Sequence, residues 1–266
     1  VFAVSLASLV LLFTLGHFKH VKALSIIPPQ LIAVIFGTIL GRVVGRVGAG
    51  AVGAAVDDAR RDAALPGALD QRPLREPGAE DDERAIIQRF FDGVDKYTPN
   101  LVSWNGGGFD LPVLHYRAMI NRVKAPRYWE LGDDDREFKW NNYISRYHTR
   151  HLDLMDLLAL YQPRANAPLD DLAQLLGFPG KLGMSGKDVW PAYLAGGIRQ
   201  IRQYCETDVL NTWLVYLHFE RMRGNLLPRQ YDDEIARVRA VLAEGDQPHF
   251  KEFLAAWPAG ATAAPR

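Results

Sequence analysis

The texture of the chain breaks near residue 76, and that break constrains the fold more than any average over its 266 residues. From Val1 to Leu40 the sequence is mostly apolar. One uncharged run extends from Val1 to Gly16 and another from Ala23 to Gly41, split by His17, Lys19, His20 and Lys22. Each run has about the length of a short membrane span, so this segment is expected to be apolar and helical. Gly41 to Arg75 turns to Gly, Ala, Val, Arg and Asp with no sustained helical or strand period, and reads as a low-complexity linker or an out-of-frame stretch. From Glu76 onward, aromatics, helix-start signals and short apolar strands alternate as in an α/β protein. The expected organisation is therefore 1–40 apolar, 41–75 linker, 76–257 globular, and 258–266 a disordered tail.

Charge and cysteine content narrow the function classes. Lys plus Arg and Asp plus Glu both number 31, so no overall basic field draws the chain to nucleic acid or to an anionic membrane, and such contacts must come from local patches. Cys205 is the sole cysteine, which excludes an internal disulfide and a Cys-cluster zinc site and points to a reducing, cytoplasmic setting for the globular part. The chain begins with Val, which points to a start inside a longer reading frame.

Within the globular part, the acids Glu80 to Glu83 precede a helical spacing of Ala85, Ile86, Phe90 and Val94, predicting a helix that stops near Lys96 to Pro99. Leu101 to Trp104 predicts a short buried strand ended by Asn105 and three glycines. A helix follows from Asp110, with Val113, Leu114 and Met119 on its apolar face. Arg127 to His151 reads as a long surface excursion. His151 to Leu154 predicts a second strand running into a helix that Pro163 closes. Further helices are expected at Leu169–Leu176, Asp188–Leu194 and Ile198 to about Arg223, and a peripheral one at Tyr231–Leu242.

Two short motifs carry chemistry. In Ser103 to Leu114, SWNGGGFDLPVL, an aspartate follows a strand at a turn whose glycines admit close backbone approach, a position suited to holding a divalent cation at an open edge. Asp110 also suits a helix N-cap, and the residues alone leave both roles open. In Tyr204 to Asp208, YCETD, the Tyr204 hydroxyl and the Asp208 carboxylate lie four residues apart on one helix face and can point to one spot.

The segments SWNGGGFDLPVLHYRAM, DDDREFKWNNYISRYHTRHLDLMD, GFPGKLGMSGKDVW and YCETDVLNT resemble the predicted PolB-like group of 3'-5' exonucleases, within the DEDD superfamily. The likeness covers about residues 76–257. It implies a ribonuclease H-like, DnaQ-like fold, with Asp110 and Asp208 as the second-motif and third-motif metal ligands. It further implies that Tyr204 orients the attacking water, which places the chain in the tyrosine branch. Asn105 and Phe109 would border the terminal nucleotide of a single-stranded nucleic-acid 3' end. Two Mg2+ or Mn2+ ions about 4 Å apart would activate water and stabilise the leaving 3' oxygen.

The family pattern also needs a first motif, Asp-x-Glu on an apolar central strand, and residues 1–75 contain none. The fold is thus expected to be N-terminally incomplete, with the strands at Leu101 and His151 short of partners unless the apolar segment substitutes, which its composition argues against. Ser25 to Leu40, SIIPPQLIAVIFGTIL, resembles a membrane segment of sulfate permease-type transporters, so residues 1–40 read either as a fused transporter fragment or as any apolar helix pair. The domain reads as a 3'-5' exonuclease that hydrolyses nucleic-acid 3' ends by a two-metal mechanism, with its first motif missing from this chain. The alternatives are a nucleic-acid-binding remnant and a membrane-associated fusion.

Weaker signals lie elsewhere in the globular part. Lys139, Arg146 and their neighbours interleave basic and aromatic residues, a pattern able to track a single strand. Lys181 and Lys187 sit in a glycine-punctuated loop that suits a substrate clamp. Asp153 is expected to support the site without ligating. Cys205, inside the third motif, reads as packing.

Overall fold

The computed structural model describes residues 3–5 and 83–258. The expected apolar helices of 1–40 (other than residues 3–5), the linker at 41–75 and the tail beyond Pro258 lie outside the described residues. Among those described, a small parallel sheet is set in a mostly helical body: β1 (Ala3–Ser5), α1 (Glu83–Tyr97), β2 (Asn100–Ser103), α2 (Leu111–Ile120), β3 (His151–Asp153), α3 (Leu154–Leu158), α4 (Leu169–Leu175), α5 (Gly186–Leu194), α6 (Ile198–Met222), α7 (Pro228–Glu244) and α8 (Pro248–Ala256).

Strand order is β1-β2-β3, all parallel, with Val4 opposite Leu101 and Val102 opposite Leu152. This corrects one expectation. Residues 3–5 form a strand, and they supply the partner that β2 was expected to lack. Pairing through backbone groups asks little of the side chains, so a tripeptide of any origin can fill an open edge.

Strand alternation divides the core. Leu101 points into a cluster built from Ile86, Ile87, Phe90, Phe91, Leu114 and Tyr128, whereas Val102 points into a second one with Leu152, Leu154, Leu214 and Ile235. The long helix α6 belongs to both: Ile201, Cys205 and Val209 enter the first cluster, and Leu210, Leu214 and Leu217 the second. The excursion 127–150 is well anchored. Tyr128 and Tyr143 stack with centroids 5.2 Å apart, and the Tyr143 hydroxyl donates to the Pro99 carbonyl at 2.6 Å, just ahead of β2.

Three helical expectations need correction. Met119 is 76 % exposed, so only Val113 and Leu114 of the expected triplet face inward. Helix α7 is not peripheral, because Tyr231, Ile235, Val238 and Leu242 are buried; a three-stranded sheet covers too little, and helices must pack on helices. Helix α3 ends at Leu158, and Pro163 opens a short 3-10 turn instead of closing a longer helix.

Candidate functional site

The site is assembled where β2 and β3 end and α6 crosses between the two core clusters. After Ser103 the chain turns through Asn105, in the left-handed region at φ 63°, into one π-helical turn, Gly106–Asp110, that runs straight into α2. Gly106 is required there. A Cβ on it would lie 2.3 Å from Ser103 Oγ and 3.3 Å from Asp110 Oδ2.

This turn removes one of the two roles open to Asp110. Its backbone is helical, at φ −58° and ψ −53°, and its side chain makes no capping hydrogen bond. The residue is fully buried, and neither carboxylate oxygen finds a hydrogen-bond partner on another residue. Burial, reinforced by the nearby Asp153 charge, raises its pKa well above the ordinary carboxylate range. A buried acid without partners is costly, and a cation is the usual compensation.

Asp153 plays a different part. Its Oδ1 accepts the Asn105 amide at 2.9 Å and its Oδ2 the Gly107 amide at 2.8 Å, so it ties the glycine turn to the end of β3 while also capping α3 through the Asp156 amide. Behind it, Ser103 Oγ and His151 Nε2 are 2.8 Å apart across β2 and β3. Burial, with a smaller contribution from His115, lowers the His151 pKa to about 4.

From the opposite side, α6 brings Tyr204 and Asp208 to one spot. The Tyr204 hydroxyl donates to the Asp208 carboxylate, and the other Asp208 oxygen, Oδ1, is buried without a partner. Burial pushes the Asp208 pKa up to about 7 against the opposing pull of Lys181 and Tyr204. Cys205, one turn before Asp208, is buried, and burial together with the nearby Asp208, Glu206 and Asp110 charges raises its pKa well above the ordinary thiol range. Among the described residues, no group of three or more His, Cys, Asp or Glu converges on a metal position.

The remaining candidates divide. Lys181 stands near enough to act on Asp208, and its amide donates to Asp170 Oδ1 at 2.7 Å. Lys187 is exposed at the start of α5 next to Asp188. Lys139 is exposed with its Nζ 5.5 Å from the Trp140 ring. Arg146, half-exposed, pairs with Asp156 through Nη2 at 2.6 Å. Phe109 is partly buried against the first cluster, and Asn105 borders the turn.

Two positioning residues lie outside the motif positions singled out in the sequence. Asn211, three residues past Asp208, donates from Nδ2 to the Gly180 carbonyl at 2.8 Å and accepts the Gly180 amide at 3.2 Å, clasping the Lys181 loop to α6. Asp170 accepts the adjacent Lys181 amide and fixes the same end of that loop. Asn211 lies inside the YCETDVLNT run, and its helical offset from Asp208 was the available signal. Beside Tyr204 opens a cleft of about 380 Å³ bordered by Leu182, Met184, Asp188, Gln203, Thr207 and His249.

Residues 69–257 match the family described as a predicted 3'-5' exonuclease related to the exonuclease domain of PolB. The DNA polymerase epsilon catalytic chain of Emericella nidulans is 24 % identical over 174 residues, and that of Saccharomyces cerevisiae 25 % over 179. In each case the match covers 62 % of this chain and 8 % of the relative, so the chain spans a small fraction of those polymerases. No solved structure matches. The resemblance of residues 25–40 to a transporter segment gains no support, and among the described residues no helix is long and apolar enough to cross a membrane.

Proposed function

Since the chain belongs to the family of predicted 3'-5' exonucleases related to the PolB exonuclease domain, we propose that it engages the 3' end of a single-stranded nucleic acid at the Asp110–Asp208 volume. The fold is then a ribonuclease H-like one. The observation that carries the reading is the trio of buried carboxylate oxygens, both of Asp110 and Oδ1 of Asp208, that lack partners between two rigid elements.

The donor set suits a hard cation. Mg2+ or Mn2+ takes oxygen ligands, commonly one or two carboxylates with water completing the shell. Asp110 and Asp208 would hold it, and when bound it would supply Lewis-acid stabilisation and an activated water at the terminal phosphodiester. The chain's own residues do the rest. Tyr204, hydrogen-bonded to Asp208, offers its hydroxyl as an orienting group for a water molecule. Lys181 brings positive charge near Asp208, and Asn105 with Phe109, on the turn that leads to Asp110, would border the terminal nucleotide.

One observation favours a second reading alongside this one. The strand paired with β2 is Ala-Val-Ser and carries no carboxylate, so nothing in it contributes to clamping two ions. A binding module with weak or no cleavage is the form this takes. Incubating the full chain with Mg2+ and a labelled single strand separates the two. The exonuclease reading expects stepwise 3' shortening that Asp208→Ala abolishes. Retained binding without shortening supports the binding module and removes the claim of activity.

A further inference from the structure

We propose that Tyr147 and Tyr161 form a stacking platform for an unpaired base of the substrate strand, a few nucleotides away from the acidic site. The inference rests on the nucleic-acid reading above and adds a surface to it.

The starting observation is backbone strain with no packing return. At the end of α3, Leu160 and Tyr161 both adopt left-handed conformations, at φ 50° and 61°. Two consecutive residues with Cβ atoms in that region are strained, because the Cβ crowds the backbone there. Burial does not offset the cost, because Leu160 is 75 % exposed. What the turn achieves is orientation. Tyr161 meets Tyr147 edge to face, with centroids 4.9 Å apart and planes at 77°, while the Arg146 guanidinium lies 4.8 Å from the Tyr161 centroid. Arg146 is itself held by two hydrogen bonds to Asp156 Oδ2, from Nε at 3.1 Å and Nη2 at 2.6 Å, and the Tyr161 amide donates to the Asp156 carbonyl at 2.8 Å. Two rings from separate segments are thus fixed in place, yet Tyr147 remains 70 % exposed.

Continuity with the site and chemistry point to the occupant. Asp156 is the hub of the cluster, and its amide is bound by Asp153, the same carboxylate that holds the Asn105–Gly107 turn beside Asp110. One hydrogen-bonded chain therefore links the platform to the acidic volume. An exposed tyrosine face beside a guanidinium that is already neutralised does not select phosphate. It selects a flat ring, and every nucleobase has one. Arg164, exposed on the next turn, adds positive charge at the margin where a backbone would pass.

The test measures binding apart from cleavage. Full-length protein in EDTA is titrated into a fluorescein-labelled oligothymidylate and followed by anisotropy. Tyr147→Ala should weaken binding about tenfold or more, and Tyr147→Phe, which keeps the ring, should stay within about twofold of the parent. An oligothymidylate with one abasic residue at the stacked position should lose a similar factor against the parent protein and nothing further against Tyr147→Ala. The side chain is exposed, so circular dichroism should be unchanged. Equal affinity of Tyr147→Ala and parent for the intact oligonucleotide overturns the platform, whether or not the parent shortens strands with Mg2+. Loss of affinity in a protein that never cleaves keeps the platform and removes only the activity. Failure of the parent to bind any strand removes the platform as well, and a surface for a protein segment becomes the remaining use of these rings.

Discussion

Helix α2 has a buried ionisable group near each end, and the two are treated differently. Near its C-terminal end Arg117 forms a two-pronged ion pair with Glu83 of α1, both side chains almost fully enclosed. Immediately before its N-terminal end Asp110 is equally enclosed and its oxygens bond to no other residue. Elsewhere too, buried acids have cations beside them: Glu234 has Arg237, and Glu220 has Arg223. The molecule can compensate buried charge where compensation is structural. Asp110 and one oxygen of Asp208 lack such a partner, and the proposed cation site rests on that difference.

The sharpest way to break that contrast is to unpair the structural end. Arg117→Ala strands Glu83 as a lone buried charge and should cost about 3–5 kcal/mol, read from urea unfolding in EDTA. Asp110→Asn, made equally close to the core, should be neutral or stabilising under the same conditions, because it removes an acid that lacks a partner. A comparable loss from both would erase the distinction between the two ends.

A smaller effect should come from acid. His151 has a folded pKa of about 4 against an ordinary value of 6.5, with burial as the main cause. Above 6.5 neither state is protonated and its contribution is fully present. Between 6.5 and about 4 the unfolded chain takes up the proton first, so stability should fall by at most about 1.4 kcal/mol per pH unit from this residue. His151→Gln should flatten that limb relative to the parent in pH-dependent unfolding, and an unchanged slope would show that the Ser103–His151 contact does not exclude the proton.

Cation addition should produce the smallest shift. Millimolar Mg2+ or Mn2+ should raise the Tm of the parent by a few degrees, as expected for a ligand bound only by the folded state. Asp208→Asn should abolish the shift, and Asp153→Asn should lower the metal-free Tm, since Asp153 holds the turn through two amides. A Tm in Asp208→Asn that still responds to the ion would move the binding site elsewhere.

How much of this is legible in the sequence depends on sequence separation. Helices α1 and α6 are legible because their apolar spacing is regular, and the Tyr204–Asp208 pairing because it needs only one helix turn. Asp110 is legible as a candidate but not as a ligand. A strand-turn-helix sequence predicts an N-cap, and only the π turn, with its helical backbone at Asp110, shows that the side chain is not spent on capping. The Glu83–Arg117 pair spans 34 positions and leaves no local trace. The burial of α7 is hidden for a related reason. Its polar average describes a surface helix, whereas its inner face is set by how little of the core the short sheet can cover. The pairing of β1 is illegible because backbone complementarity leaves no side-chain signature. Helix α8 has no counterpart among the sequence expectations, its nine residues offering too few turns for a period to emerge.

The continuity of α6 through both core clusters has a consequence for how such a site can be lost. At 25 residues it extends about 38 Å, and Asp208 stands beside the junction where one cluster hands over to the other. Such a helix is a ridgepole: neither roof stands once it is cut. Substitutions on the strand side leave it in place, while changes that would dislodge Asp208 collapse the whole domain. Acids carried on the strands can thus be exchanged at less cost to the fold than the helical one, and Tyr204 and Asn211 share that helix's protection as timber.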